Sequence, residues 1–248
     1  MKKYLFLLSF IFSLKIQAQV LNIEGSRFQT DSAGWIGNLG FSFTVQQNVE
    51  QLLSFGNNAQ VQYKKGRSRF LFLSNVAFTE IGATNFDNTG FQHVRYNYKI
   101  NERITWEVLV QAQYNQIMKM DYRAIAGTGP RFKIFKNENF GTHLGVIYLY
   151  EDEKITDVKD PVFDSRLSTY LSLAWKISKD IEFISTTFYQ PNFVDISDYR
   201  IATNNLFEID IHKHLAFRTG FDLLYDTRQP IGIPNLTYNY MNSLSWKF

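Results

Sequence analysis

Residues 236–248, LTYNYMNSLSWKF, alternate between apolar and polar side chains over almost their whole length. Because successive side chains of a strand point to opposite faces, this stretch predicts a strand with one aromatic and one polar face. Such a strand, ending in an aromatic residue, is typical of the closing strand of a bacterial outer-membrane β-barrel. Tyr240, Leu244, Trp246 and Phe248 then form the expected signal for the barrel-assembly machinery. The alternative is an edge strand of a soluble β-sandwich.

The beginning of the chain favours export. Residues 1–18 have a basic start, an apolar run at 4–14 and a small residue, Ala18, before the predicted cleavage site, as in a secretory signal peptide. The expected mature domain is residues 19–248. Nothing later supplies the roughly 18 consecutive apolar residues of a membrane-spanning helix.

The composition is unusual for a soluble protein. Aromatic residues make up 17% of the chain, yet mean hydropathy is −0.23. A membrane barrel explains both values, because half of its strand residues face lipid and half face a polar interior. With no cysteine, the exported chain has no disulfide framework. A net charge of +3 is too small to indicate a nucleic-acid partner.

The alternation recurs along the chain. In segment 104–114, Trp106, Val108 and Val110 share one face, and Glu107 and Gln111 share the other. The sequence predicts twelve such strands, each of about the length that a tilted strand needs to cross a bilayer. They are 35–46, 53–63, 69–78, 91–100, 104–114, 122–134, 140–150, 167–177, 181–190, 199–211, 215–225 and 236–248; the phase of 181–190 is left open.

The connections sort by length. Short charged connections are expected at 64–67, 101–103, 136–139, 178–180 and 212–214, and longer ones at 79–90, 151–164, 191–198 and 226–235. Two connections, near 47–51 and 116–121, are short where long ones are expected. This asymmetry is typical of periplasmic turns and extracellular loops, and an even strand number places both termini in the periplasm. The prediction is therefore an all-β, antiparallel, up-and-down transmembrane β-barrel of twelve strands in the outer membrane of a Gram-negative cell.

Aromatic residues near segment ends predict two interfacial girdles. They are Trp35, Tyr63, Tyr98, Trp106, Tyr148, Trp175, Tyr225 and Trp246. A secreted sandwich would need a polar outer face and has no reason to sort its loops by length.

Several short strings resemble a known family. They are RAIAGTGPR at 123–131, GVIYLYE at 145–151 with Glu153 beyond it, RLSTYLS at 166–172, and YQP at 189–191 followed by DYR at 198–200. Together they resemble the domain-of-unknown-function 481 family, whose members include salt-induced outer-membrane proteins. The resemblance covers about residues 61–248. It implies location and architecture, but no particular activity.

Many charged residues fall on the inner phase of the predicted strands. The expected lumen charge network is Arg95, Glu107, Arg123, Arg131, Lys133, Glu151, Arg166, Arg200, Glu208, Asp210, Arg218 and Asp222. Asp198 is also expected among the acidic residues of the lumen. Two interpretations are open. The charges line a narrow aqueous pore, whose basic excess favours small anions, or they pair across the lumen and plug it.

Two smaller features accompany this network. Gly127 and Gly129, on the inner phase, are expected either to leave room for a large side chain such as Tyr170 or to relieve strain in the sheet. An acidic loop contains Glu151, Asp152, Glu153, Asp157, Asp160 and Asp164. It is interpreted as a solvated loop, with divalent cations or cation-bridged lipopolysaccharide as the alternative partners.

The expected function is non-enzymatic, without cofactor or metal: a narrow channel for small solutes, or an envelope-integrity protein with a largely plugged lumen. The expected partners are outer-membrane lipid and lipopolysaccharide. The alternative is an outer-membrane enzyme acting on lipid or peptide at the extracellular rim. A lipase of this kind needs a serine and a histidine facing lipid. His93 and His143 fall on the inner phase, and His212 and His214 fall in a turn, so the sequence argues against it.

Overall fold

The computed structural model describes residues 33–47, 49–82, 84–212 and 215–246. These residues form twelve β-strands. The described part of the chain contains no helix that is long and apolar enough to cross a membrane. The strands are β1 (Gly34–Gln47), β2 (Gln51–Lys65), β3 (Ser68–Ile81), β4 (Thr84–Lys99), β5 (Ile104–Asn115), β6 (Met120–Lys136), β7 (Phe140–Ile155), β8 (Val162–Ser178), β9 (Ile181–Pro191), β10 (Tyr199–His212), β11 (Leu215–Asp226) and β12 (Leu236–Trp246).

Each strand pairs antiparallel with the next strand in the sequence, from β1 to β12. The predicted all-β, up-and-down, twelve-stranded order is therefore confirmed. The sheet curls strongly enough to bring distant strands together. Side chains of β3 and β11 line one cavity, and Arg200 of β10 reaches Glu151 of β7. We call the space on the concave side of the sheet the lumen. No ladder joins β1 to β12 in the described ranges, and β1 is exposed along almost its whole length.

The alternation of the sequence appears as an alternation of burial. On β5, Val108 and Val110 are exposed on the convex face, whereas Glu107 and Leu109 are buried on the lumen side. On β9, where the sequence left the phase open, Thr186 and Phe188 are buried and so set the inner phase. The convex face therefore presents apolar side chains to its surroundings, and the buried charged side chains lie in the lumen.

Aromatic rings cluster near both ends of the strands on the convex face. At one end the ring centroids of Trp35 and Tyr63 lie 4.6 Å apart. At the other end Tyr199 lies between Tyr189 and Tyr225, at 5.8 and 6.0 Å. Such paired belts are the arrangement expected at two membrane interfaces.

The connections define two ends of the sheet. The loop end carries 116–119, 156–161, 192–198 and 227–235, and the turn end carries 66–67, 100–103, 137–139 and 179–180. The predicted long loop at 79–90 is wrong, because β3 continues to Ile81 and β4 begins at Thr84. The loop at 151–164 is likewise shorter than predicted. Polar residues continue a backbone ladder beyond the apolar stretch, since the ladder needs no apolar side chains.

Some predictions fall outside the described residues. The signal peptide at 1–18 and Phe248 of the assembly signal are among them. Trp246 is described by its backbone, which pairs with Leu215. Tyr240 and Leu244 of the same signal lie on β12 with exposed side chains.

Candidate functional site in the lumen

Arg200 lies at the centre of a buried ion-pair cluster near the loop end. Its Nε donates to Asp226 Oδ2 at 2.8 Å, its Nη1 to Glu151 Oε2 at 2.7 Å and its Nη2 to Glu153 Oε2 at 3.2 Å. Asp226 is the direct ladder partner of Arg200, but the two glutamates extend from β7. One guanidinium therefore connects β7, β10 and β11 through the interior.

Arg166, on β8, extends the cluster. Its Nε lies 3.3 Å from Glu151 Oε2, and its Nη2 donates to Asp164 Oδ2 at 2.9 Å. Its two terminal nitrogens also donate to both oxygens of Asp198, at 3.1 and 2.9 Å. Asn192 adds a hydrogen bond to Asp164 at 2.8 Å. Glu151 is thus shared by two arginines, and the loop before β10 is tied to the lumen wall.

Arg123 completes what we call the loop-end plug. Its Nη2 donates to Glu153 Oε1 at 2.6 Å, and Gln113, Arg123 and Glu153 are cross-strand neighbours on β5, β6 and β7. The plug contains three guanidiniums and five carboxylates: Arg123, Arg166, Arg200, Glu151, Glu153, Asp164, Asp198 and Asp226. The predicted basic excess is therefore wrong for this end of the lumen.

A second cluster surrounds Glu107, which is fully buried closer to the turn end. Arg95 Nη1 and Tyr170 Oη donate to Glu107 Oε2 at 3.0 and 2.7 Å. Arg131 Nη1 lies 3.9 Å from Glu107 Oε1, and its guanidinium carbon is 5.9 Å from the centre of the Tyr170 ring. A fully buried carboxylate is stable here because charged and hydroxyl donors surround it.

His93 belongs to a hydrogen-bonded row on the same wall. Arg95 Nε donates to His93 Nε2 at 3.3 Å, so this nitrogen is an acceptor and Nδ1 carries the hydrogen that Gln111 Oε1 accepts at 3.0 Å. Gln111 donates in turn to Gln113 at 2.9 Å. Of the other histidines, His143 is partly buried on β7, His212 is exposed at the end of β10, and His214 lies outside the described residues. His93 therefore has a structural role in the lumen wall.

An apolar belt, which the sequence analysis missed, separates the two charged clusters. It comprises Leu109, Ile125, Ile147, Leu149, Tyr170, Phe188, Ala202 and Leu224. These residues lie on the inner phase of β5 to β11, between charged positions of the predicted network. The alternation could have indicated the belt, because each of these apolar residues falls on the inner, mostly polar face of its strand. An apolar side chain buried there needs apolar neighbours.

Two small cavities lie in this part of the lumen. The outer cavity, of about 50 Å³, opens at the loop end among Asn115, Met118 and Arg228. The inner cavity, of about 40 Å³, is lined by much of the apolar belt, with Arg123, Glu151 and Arg200 of the plug and with Arg95. Gln113 and Arg123 line both cavities, so this pair forms the partition between them. At this size each cavity holds a few water molecules, on the order of 10–15 Å³ each.

The structure brings seven of the twelve predicted network residues into the two buried clusters: Arg95, Glu107, Arg123, Arg131, Glu151, Arg166 and Arg200. The other five are less buried. Arg218 pairs with Glu208 at 2.7 Å, Lys133 lies 3.9 Å from Glu102, Asp222 accepts from Asn204 at 2.7 Å, and the backbone nitrogen of Asp210 donates to Asp180. Glu153, Asp164 and Asp226 join the plug although the sequence analysis did not assign them to it.

The glycine opposite Tyr170 is not one of the two predicted. A Cβ on Gly145, the direct ladder partner of Tyr170, would lie 2.0 Å from that ring. Gly127 instead faces Leu149, and Gly129 faces the backbone of Val146. The phase prediction was correct, but the cross-strand register that selects the neighbour is not visible in one sequence.

The acidic loop is also divided differently from the prediction. Glu151 and Glu153 lie on β7 and point into the lumen, whereas Asp152 accepts from Tyr122 Oη at 3.1 Å on the other face. Alternation within the longer β7 separates residues that are adjacent in sequence. No group of three or more His, Asp or Glu side chains in the described ranges is arranged to hold a metal ion.

Curled antiparallel strands, an apolar aromatic outer face and a charged interior define the class: an up-and-down β-barrel fold with a lumen site. The chain belongs to the DUF481 family, described as "Protein of unknown function, DUF481", whose sequence model matches residues 22–248. The resemblance seen in the sequence is thereby confirmed.

Solved structures of similar fold are only distantly related in sequence. The NanC porin is 14% identical, with a TM-score of 0.49, and the match covers 79% of this chain and 94% of NanC. A bacterial polysaccharide outer-membrane secretin is 8% identical, with a TM-score of 0.45 and coverages of 86% and 89%. The KdgM porin, solved with disordered oligogalacturonate, is 11% identical, with a TM-score of 0.41 and coverages of 79% and 95%. A search of curated proteins finds no match.

Proposed function

We propose that this protein is an integral outer-membrane β-barrel whose lumen is largely filled by an ion-pair plug and which passes, at most, water and small ions. The observation that carries the proposal is the loop-end plug. Arg123, Arg166 and Arg200 are buried and paired with carboxylates from several strands. Buried charges paired in this way are costly to separate, so they form a persistent obstruction.

The membrane location is supported by the convex face and by the start of the sequence. Exposed apolar residues such as Val108, Val110 and Leu171 form a band that is unfavourable in water but favourable in lipid. Aromatic belts flank this band. Residues 1–18 supply the expected export signal, and the even number of strands would leave both termini in the periplasm. Lipid and lipopolysaccharide are the partners that this surface would meet.

A narrow passage is compatible with the plug. The inner-phase residues Asn38, Ser42 and Thr44 of β1 are exposed, so solvent borders this strand. The plug itself involves β6 to β8, β10 and β11 with the loop before β10. Water and small ions could use the polar side that remains.

Two measurements test the proposal. Fractionation of cells, with heat-modifiable migration of the folded barrel, should find the protein in the outer membrane. In proteoliposomes the protein should give no swelling with mono- or disaccharides, and in planar bilayers it should give a small ion conductance or none. Rapid swelling with disaccharides would contradict the plugged lumen. Recovery of folded protein from the soluble periplasmic fraction would contradict the membrane location.

A further inference from the structure

We infer that Arg123 is the gate between the two lumen cavities and that it controls the entry of small cations into the inner one. The inference rests on the proposed function, since a gate has meaning only in a lumen that is otherwise obstructed. It starts from the partition: Arg123 and Gln113 are the residues shared by the linings of both cavities. A solute moving directly from the outer cavity into the inner one passes beside these two side chains.

Arg123 makes fewer ion pairs than the other two arginines of the plug. Arg200 and Arg166 each contact three carboxylates, whereas in the described part of the chain Arg123 makes its one ion pair with Glu153. Arg123 donates one hydrogen bond to a carboxylate in the described part of the chain, whereas Arg166 donates to Asp164 and to both oxygens of Asp198. A guanidinium anchored at one nitrogen has fewer contacts to lose when it changes rotamer, so it is the mobile member of the plug.

The carboxylate would remain paired if Arg123 moved away. Glu153 Oε2 lies 3.2 Å from Arg200 Nη2, and this contact does not depend on Arg123. The opening of the gate therefore leaves no buried carboxylate without a cation, which is the usual reason that breaking a buried pair is costly. Removing Arg200 would be different, since it is shared by three carboxylates.

The charge around the open gate would select cations. With Arg123 displaced, Glu151, Glu153 and Asp226 remain around the partition and share Arg200, while Arg166 is also engaged by Asp164 and Asp198. A ring of excess carboxylate attracts cations and repels anions. The permeant class is then small cations, not the anions that the overall basic excess of the sequence suggests.

The absence of cysteine from the sequence makes a direct test possible, because a single introduced thiol is the sole reporter. Ser168 is buried and lines the inner cavity. In the Ser168→Cys protein, labelling by small cationic and anionic methanethiosulfonates should be slow. Adding Arg123→Ala should speed cationic labelling on the order of tenfold, and anionic labelling less. Arg123→Lys should restore the slow rate.

Arg228→Ala is the matched control, because Arg228 lines the outer cavity but not the partition. It removes one positive charge at the outer cavity without altering the partition, so it should speed labelling of Cys at position 168 far less than Arg123→Ala does. Heat-modifiable migration checks that each variant is folded, and Gln113→Ala, which alters the other half of the partition, takes the place of Arg123→Ala if that variant does not fold. The gate is contradicted if the Ser168→Cys protein is labelled at the same rate with and without Arg123→Ala. It is also contradicted if Arg228→Ala speeds labelling as much as Arg123→Ala does, or if the anionic reagent reacts faster than the cationic one. Sugar-driven swelling of wild-type proteoliposomes would instead overturn the proposed function, so the two failures are distinguishable.

Discussion

Two arginine–carboxylate pairs on the β10–β11 hairpin have the same local geometry but lie at opposite ends of it. Arg200 and Asp226 are direct ladder partners with Nε–Oδ2 at 2.8 Å, and Arg218 and Glu208 are direct ladder partners with Nε–Oε2 at 2.7 Å. Their burial differs. The exposed fractions of the side chains are 5% and 4% for the first pair and 44% and 23% for the second.

The distance between the charged atoms alone therefore does not set how much an ion pair contributes to stability. At the turn end, water screens the Arg218–Glu208 pair, and its loss returns both groups to solvent. At the loop end, Arg200 also contacts Glu151 and Glu153. Loss of the guanidinium removes the ion-pair partner of buried Asp226 and one of the two arginine partners of each glutamate. The first pair is a surface contact, and the second is part of the obstruction in the lumen.

The largest expected effect is that of Arg200→Ala. We expect it to lower the free energy of unfolding by about 3–5 kcal/mol, the usual cost of removing one partner of a buried pair. Urea unfolding in detergent, followed by the fluorescence of the four tryptophans, measures it. A loss below about 1 kcal/mol would mean that the plug is hydrated like a surface pair and would remove the contrast between the two ends.

A smaller effect is expected inside the lumen wall from Gly145→Ala. The new methyl group would lie 2.0 Å from the Tyr170 ring, which must then shift away from Glu107. Overpacking of this kind costs about 1–3 kcal/mol in the free energy of unfolding. Gly141→Ala on the same strand is the matched control, since nothing lies within 4 Å of its Cβ position, and it should change stability by less than about 0.5 kcal/mol.

A double variant separates packing from other causes. In a Tyr170→Leu background, Gly145→Ala should lose most of its effect, because the clashing ring is gone. Additive losses in the double variant would show that Gly145 matters for its backbone and not for the space that it leaves to Tyr170.

Most of the fold could be predicted from the sequence, because lipid on one side and a polar lumen on the other impose a strict alternation. The strand order and all twelve strands follow from that pattern. The boundaries were less predictable at the loop end. There Thr79 to Ile81 and residues 151–155 continue their ladders without an apolar outer face, so their pattern resembles a loop.

The site was predictable in type but not in detail. Alternation correctly assigned Arg123, Arg166 and Arg200 to the inside, but pairing depends on register, which one sequence does not reveal. Asp226 was missed because alternation was followed only to Tyr225, although one more step places it opposite Arg200. The apolar belt was missed because a single leucine on the inner phase resembles an isolated break in the alternation. Its role is visible only when its neighbours on several other strands are known.

Arg218→Ala tests the exposed Arg218–Glu208 pair at the turn end. We expect a loss of about 0.2–1 kcal/mol in the free energy of unfolding, and a smaller loss still in high salt, because exposed pairs are screened. The same urea titration at low and high sodium chloride concentration measures it. The loss caused by Arg200→Ala should depend little on salt. A salt-independent effect of Arg218→Ala as large as that of Arg200→Ala would show that the turn end is as dry as the loop end.

The smallest effect concerns a third, exposed pair, between Arg228 and Asp195, which joins the loops 227–235 and 192–198. Hydrogen bonds from the Ser197 hydroxyl and backbone nitrogen lower the pKa of Asp195. A lowered pKa in the folded state means that the contact is present above the unfolded pKa, near about 4, and is lost as the pH falls through the folded value. Spin labels at Val194→Cys and Ile231→Cys, both exposed positions, should keep one narrow distance distribution from neutral pH to about 4, and the distribution should broaden below it. Asp195→Asn should broaden that distance at every pH. A transition near neutral pH would contradict this assignment, because Asp195 is then fully ionised and a different group must join the loops.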